Sequence, residues 1–159
     1  MHVLSYQKRL QEREFPVQEG IVVEAYWRDD RAGRGPAASV YAHDQEVLRL
    51  DCFGGDQAHF HVNLTQAAVR WYYPPCTVAE NIERAAFDLA TNLRFCLRHN
   101  RDPEIRALRP DAARMAAVSA EVRAHLLSLL AARGEADALE TAAGYPLGPL
   151  PAEALAESP

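Results

Sequence analysis

At 159 residues the chain has room for one domain with a core of its own. Its 48% hydrophobic and 25% charged content excludes a disordered or fibrous class, and a net charge of −5 argues against broad non-specific binding to nucleic acid. Cys52, Cys76 and Cys96 are widely spaced and form no CxxC, which excludes a disulfide frame and a zinc knuckle and fits free thiols in a reducing cytoplasm.

The charge is uneven. No Lys or Arg follows Arg133, whereas Glu135, Asp137, Glu140, Glu153 and Glu157 do, so residues 1–133 are neutral and the tail carries the imbalance. The opening MHVLSYQKRL has no apolar leader core, and no run of the sequence approaches a membrane span. Neither a secretory leader nor a membrane anchor is expected, and a cytoplasmic location follows.

Residues 1–20 read as a polar lead-in, a first strand or a short helix. Residues 21–27 (IVVEAYW) are β-branched and aromatic, a strand. Residues 28–36 (RDDRAGRGP) read as a charged hairpin loop without the spacing of a phosphate-binding loop. Residues 39–43 and 47–53 form the next hairpin around Asp44 and Gln45. Residues 58–63 follow a Gly-rich turn, and residues 67–73 supply a fifth strand before Pro74 and Pro75 stop the sheet.

Thr77-Val78-Ala79-Glu80 matches a capping box, and the helix it opens runs to about His99. Val78, Ile82, Ala85, Leu89, Leu93 and Cys96 fall on one stripe; Phe87 and Phe95 lie off it, so a second covered side is expected, with the next helix as cover. Asp102-Pro103-Glu104 opens a short turn through Leu108. Pro110 begins a long helix to Arg133, ended by Gly134, with a stripe of Met115, Val118, Val122, Leu126 and Leu129. His125 at its margin reads as a structural histidine. Residues 135–143 suggest a short helix, and the following G-Y-P-L-G-P-L-P suits extended docking in a groove, on this chain or another.

The stretch L-R-L-D-C-F-G-G-D-Q-A-H-F-H-V-N from Leu48 to Asn63 gathers the chain's chemistry. Alternation of side chains along a strand fixes its register: a turn over Gly54, Gly55 and Asp56 pairs Leu50 with Phe60 and Leu48 with Val62. The same register sets Asp51 opposite His59 and Arg49 opposite His61, on one wetted face. A carboxylate beside an imidazole can orient a general base, and two histidines with an Asp on the neighbouring strand can hold a divalent metal. The competing reading is an ordinary set of cross-strand polar pairs. His43 is near in sequence, but its facing depends on the turn. Cys76, before a helix N-terminus, is where a thiol pKa can fall. The aromatics Tyr26, Trp27, Tyr41, Trp71, Tyr72 and Tyr73 read as packing, and the arginines from Arg94 to Arg114 as a solvated, salt-bridged corner.

In layout this hairpin, followed by a strand ending at Tyr73-Pro74-Pro75 and a helix opening with Thr77-Val78-Ala79-Glu80, resembles small RNase-like toxins of bacterial toxin–antitoxin pairs. The resemblance spans residues 39–97 and rests on Asp51, His59, His61 and element order. It implies a bacterial source and an RNase-like activity. The chain departs from that family in carrying fewer strand histidines, a second long helix and tail, and an acidic charge.

The expected architecture is α+β: an antiparallel meander of four to five strands, then two long helices packed on one side, the first on the sheet and the second on the first. Residues 1–133 form one domain (1–75 mainly β, 76–133 mainly α), and residues 134–159 an acidic, Ala- and Pro-rich tail. Two functions fit this sequence. One is a binding or accessory protein acting through a protein partner or a homodimer, with no cofactor. The other is a hydrolase acting on RNA or another phosphodiester, with or without a divalent metal held by Asp51, His59 and His61. There His59 serves as base, His61 as acid or second ligand, Asp51 as orienter and Arg49 as phosphate contact.

Overall fold

The computed structural model describes residues 8–30, 33–67, 69–135 and 138, and the statements that follow concern these. Six strands form one antiparallel meander in chain order: β1 (Arg9–Gln18), β2 (Ile21–Asp30), β3 (Gly33–Ala42), β4 (Gln45–Asp51), β5 (His59–Val62) and β6 (Trp71–Tyr72). Helices α1 (Val78–Thr91), α2 (Leu93–Arg98), α3 (Pro103–Ala107) and α4 (Ala112–Arg133) follow. The α+β class stands, with six strands rather than four or five.

The extra strand is β1. Its pairing with β2 breaks register between Leu10 and Arg13 and again between Pro16 and Gln18, and Gln11 adopts a φ of 53°. The breaks shift the alternation that marks a strand, so the segment reads as a lead-in. The loop expected at 28–36 is also shorter, because β2 and β3 pair out to Asp30 opposite Gly33. Gly33 and Gly35 lie under the Phe53 ring, where an added Cβ would come within 2.5 and 2.7 Å of it.

One face of the sheet is apolar. The rows Val23–Val40–Leu48–Val62 and Ala25–Ala38–Leu50–Phe60–Trp71 run across it, and the helices lie on it. Thr77 caps α1 with the full capping box. Asn92 interrupts the helix expected to run to His99 and separates α1 from α2. Helix α4 starts from an Asp111 cap and stops at Gly134, whose φ of 87° suits glycine. Its stripe Met115, Val118, Val122, Leu126 and Leu129 is buried. Each such side chain contributes roughly 1.5–3 kcal/mol when withdrawn from water.

Helix α4 packs directly on β1, β2 and β3 as well as along α1, so the two long helices share a layer rather than stacking. Ser119 Oγ donates to the Ala86 carbonyl, and Arg123 pairs with Glu83 at 2.6 Å. This side-by-side arrangement leaves Phe87 and Phe95 without the cover expected of them; they are 64% and 61% exposed. By length and mean hydropathy α4 could also cross a membrane, contrary to the sequence reading, but its apolar stripe is packed in the core. His125 Nε2 lies 3.0 Å from the Gln11 carbonyl, the structural role expected.

Of the tail, Gly134, Glu135 and Ala138 are described: Glu135 Oε1 accepts from the Val78 amide, and the Ala138 carbonyl from the Gly54 amide. The docking segment at 144–151 and most of the helix expected at 135–143 lie outside the described residues.

Candidate functional site

The hairpin register is the one alternation dictates: Leu48 faces Val62, Arg49 faces His61, Leu50 faces Phe60 and Asp51 faces His59. Two rows therefore cross the second face of the sheet, Glu24–Ser39–Arg49–His61 and Tyr26–Ala37–Asp51–His59–Tyr72. This face is not wetted. Asp51, His59 and His61 are 1%, 0% and 4% exposed, and Glu24, Tyr26, Arg28, Ser39 and Tyr41 are buried with them. A solvated sheet face with ordinary polar pairs is thereby excluded.

What makes the burial tolerable is pairing. Arg28 Nη1 meets Asp51 Oδ1 at 3.2 Å, while its Nε meets Asp30 Oδ2 at 2.9 Å. Arg49 Nε meets Asp51 Oδ2 at 3.2 Å, and its Nη2 lies 3.1 Å from His61 Nε2. Arg9 meets Glu24 at 2.6 Å and sits over the Tyr26 ring, whose hydroxyl lies 2.8 Å from Ser39 Oγ. Burial by itself pushes the Asp51 carboxyl up, but Arg49, Arg28 and His59 outweigh it and hold the group well below the usual carboxylate range. Burial, and then the Arg49 charge, hold the His61 imidazole well below its ordinary value, so this ring is neutral.

The hydrogen bonds fix the tautomers. His59 Nδ1 lies 2.8 Å from the Gln57 carbonyl, which only accepts, so Nδ1 carries a proton. His59 Nε2 then points toward Asp51 Oδ2 at 3.2 Å without a hydrogen bond of its own. His61 Nε2 accepts from Arg49, which puts the proton of the neutral ring on Nδ1, and Nδ1 is buried without a partner. Each unsatisfied buried group costs about 1–3 kcal/mol. Asp51, His59 and His61 each offer a ligand atom, all within 4.8 Å of one another.

The other flagged residues do not join this group. His43 turns at the β3–β4 hairpin with a φ of 53°, its amide on the Gly20 carbonyl. The Cys76 thiol is pushed up, by burial and by a hydrogen bond with Glu80, despite Arg84 Nη2 at 2.7 Å; the lowered pKa expected there is not found. Arg106, Arg109 and Arg114 donate to backbone carbonyls, and Arg114 also lies 3.9 Å from Glu121.

A second region was not singled out in the sequence. On the helix side, where the sheet narrows to β5 and β6, a groove of about 410 Å³ is lined by Phe60, Val62, Val69, Trp71 and Phe95, with His99 and Arg101 on its rim. A contiguous hollow of about 280 Å³ shares Phe60, Val62 and Phe95 and reaches Leu48, Asn92 and Cys96. Asn63, with a φ of 51°, and Asn100 fix one end: Asn100 Nδ2 donates to Asn63 Oδ1 and Asn63 Nδ2 to the Cys96 carbonyl. The Phe60 and Trp71 rings stack at 5.6 Å along the wall. The off-stripe Phe95 was the sequence signal for this region; Phe60 and Val62 read as core because they alternate with the histidines.

Among known proteins, a family model described as "Domain of unknown function (DUF7700)" matches residues 7–132. No curated protein and no solved structure matches the chain.

Proposed function

We propose that this chain, which belongs to the DUF7700 family, is a non-enzymatic binding protein whose groove at β5, β6 and α2 takes an extended, proline-rich segment. The observation that carries this reading is the aromatic wall of Phe60, Trp71 and Phe95, the last two 38% and 61% exposed, over a hollow with a basic rim. Polyproline segments dock in such aromatic-lined grooves because they are already extended and lose little freedom.

The chain carries a fitting segment of its own at 144–151, within a tail whose charges are all acidic. The tail also has the reach. Glu135 meets the start of α1, and α1 runs 14 residues, about 21 Å, to the groove end at Asn92. Seven extended residues beyond Ala138 span about 23–25 Å. The occupant we favour is therefore residues 144–151, from the same chain or a second copy.

Trp27 is buried, so acrylamide quenching of the full chain reports Trp71. A Leu147→Asp/Leu150→Asp variant should raise that quenching, and Phe95→Glu should do the same. A mass that rises with concentration assigns the contact to two copies, and a constant monomer mass to one. Quenching unchanged in both variants would remove this reading.

A hydrolase working through His59 would need its substrate to reach a side chain that has no exposure.

A further inference from the structure

We propose that Asp51, His59 and His61 form a binding site for a divalent transition metal of the zinc class, gated by the Arg49 guanidinium. This inference concerns the opposite face of the sheet and does not depend on the groove.

Four observations carry it. The first is geometry: Asp51 Oδ2 lies 3.2 Å from His59 Nε2 and 3.7 Å from His61 Nε2. Ligand atoms around one tetrahedral zinc are about 3.3 Å apart. The second is rigidity, because all three residues sit on paired strands in a register fixed by the core. The third is the shell behind the ligands. A metal-bound histidine commonly gives its other N–H to a carbonyl, as His59 Nδ1 gives to Gln57. Arg28 holds Asp51 by Oδ1, which leaves Oδ2 turned toward the imidazoles. The fourth is the orphaned His59 Nε2, which is fully buried, makes no hydrogen bond of its own and faces Asp51 Oδ2.

Arg49 makes this an exchange rather than a simple addition. Its guanidinium straddles two of the donors the ion would take, with Nε on Asp51 Oδ2 and Nη2 on His61 Nε2. Its Nη1 lies 3.8 Å from Glu46, and the side chain keeps 14% exposure. It can therefore withdraw toward Glu46 and solvent while the ion enters. Two imidazoles and one carboxylate without a thiolate select Zn²⁺, Co²⁺ or Ni²⁺ over Mg²⁺ or Ca²⁺; Cys52 belongs to the apolar face, with its thiol toward the Asn81 carbonyl.

The test uses full-length protein stripped with a chelator, then dialysed against Zn²⁺ or Co²⁺. Wild type should retain one ion per chain, show the visible bands of four-coordinate Co²⁺, and melt at a higher temperature with metal. A His59→Ala/His61→Ala variant should lose the spectrum and the shift. Arg49→Gln, which removes the competing cation and keeps the ligands, should bind at least about 10-fold more tightly, the scale on which groups behind the ligands act. Because its effect has the opposite sign, it keeps the test decisive if the double histidine variant does not fold. No ion retained by wild type or Arg49→Gln overturns the proposal. So does a spectrum and shift that survive in a folded double variant, or an Arg49→Gln affinity no higher than wild type.

Discussion

Replacing Asp51 with Asn removes one charge from the second face of the sheet and almost no volume. The carboxylate is 1% exposed and meets Arg28, Arg49 and His59, each at 3.2 Å. Breaking a buried ion pair from one side costs about 3–5 kcal/mol, because the abandoned charge stays buried. Arg49 can turn to Glu46 and solvent, and Arg28 keeps Asp30 at 2.9 Å, so the lower end applies, roughly 3 kcal/mol. For a chain of this size that is a fall in Tm of about 6–12 °C. The assay is urea and thermal unfolding at pH 7, followed by circular dichroism. Arg28→Gln and the double variant complete a cycle in which the double loss should fall short of the sum by roughly 0.5–3 kcal/mol. The folded carboxyl is held below its unfolded value, so its contribution is complete above about pH 4 and disappears as pH falls through the folded value. The gap between wild type and Asp51→Asn should close on acidification. A loss under about 1 kcal/mol at pH 7, within the range of an exposed pair, would refute the claim that this face is dry.

Two further predictions concern the same face and the first helix. His61 is held neutral in the folded state while its unfolded counterpart takes up a proton near pH 6.5, so stability should fall as pH drops below 6.5, by up to about 1.4 kcal/mol per unit. Urea midpoints between pH 7.5 and 5 should show a shallower slope for His61→Gln, and an identical slope would assign the effect to other groups. Thr77→Ala removes the acceptor for the Glu80 amide at 3.2 Å and should cost about 0.5–2 kcal/mol, with Thr77→Asp restoring most of it; equal stability of all three would mean that α1 needs no cap.

The sequence disclosed the hairpin pairing because apolar and polar residues alternate cleanly over 48–52 and 58–62, and one register sets the apolar ones on a common face. It disclosed α4 because cap, stripe and Gly134 agree. It left β1 open between a strand and a short helix, because register breaks scramble the alternation. It also misjudged the polar face, since alternation tells which residues share a face but not whether water reaches it. The clue lay elsewhere. Strands β2 and β3, through IVVEAYW and GPAASVYA, are apolar nearly throughout, the pattern of strands covered on both sides, and the cross-strand rows run from them to Asp51 and His61. The groove depends on the short β6 and the helix break at Asn92, and neither has a periodicity to read.

The register breaks in β1 bear on how copies of the protein can assemble. A meander has two ends, and each end strand offers backbone groups to a neighbour. At the β1 end two register breaks interrupt the strand, Pro16 lacks an N–H, and Glu12, Arg13 and Glu14 are exposed. A second chain finds no straight ladder to extend there. At the other end the sheet closes with Trp71 and Tyr72, beside the groove. Among the described residues one edge alone suits pairing, so an edge-to-edge contact would join two copies and stop, where two usable edges would propagate a fibre.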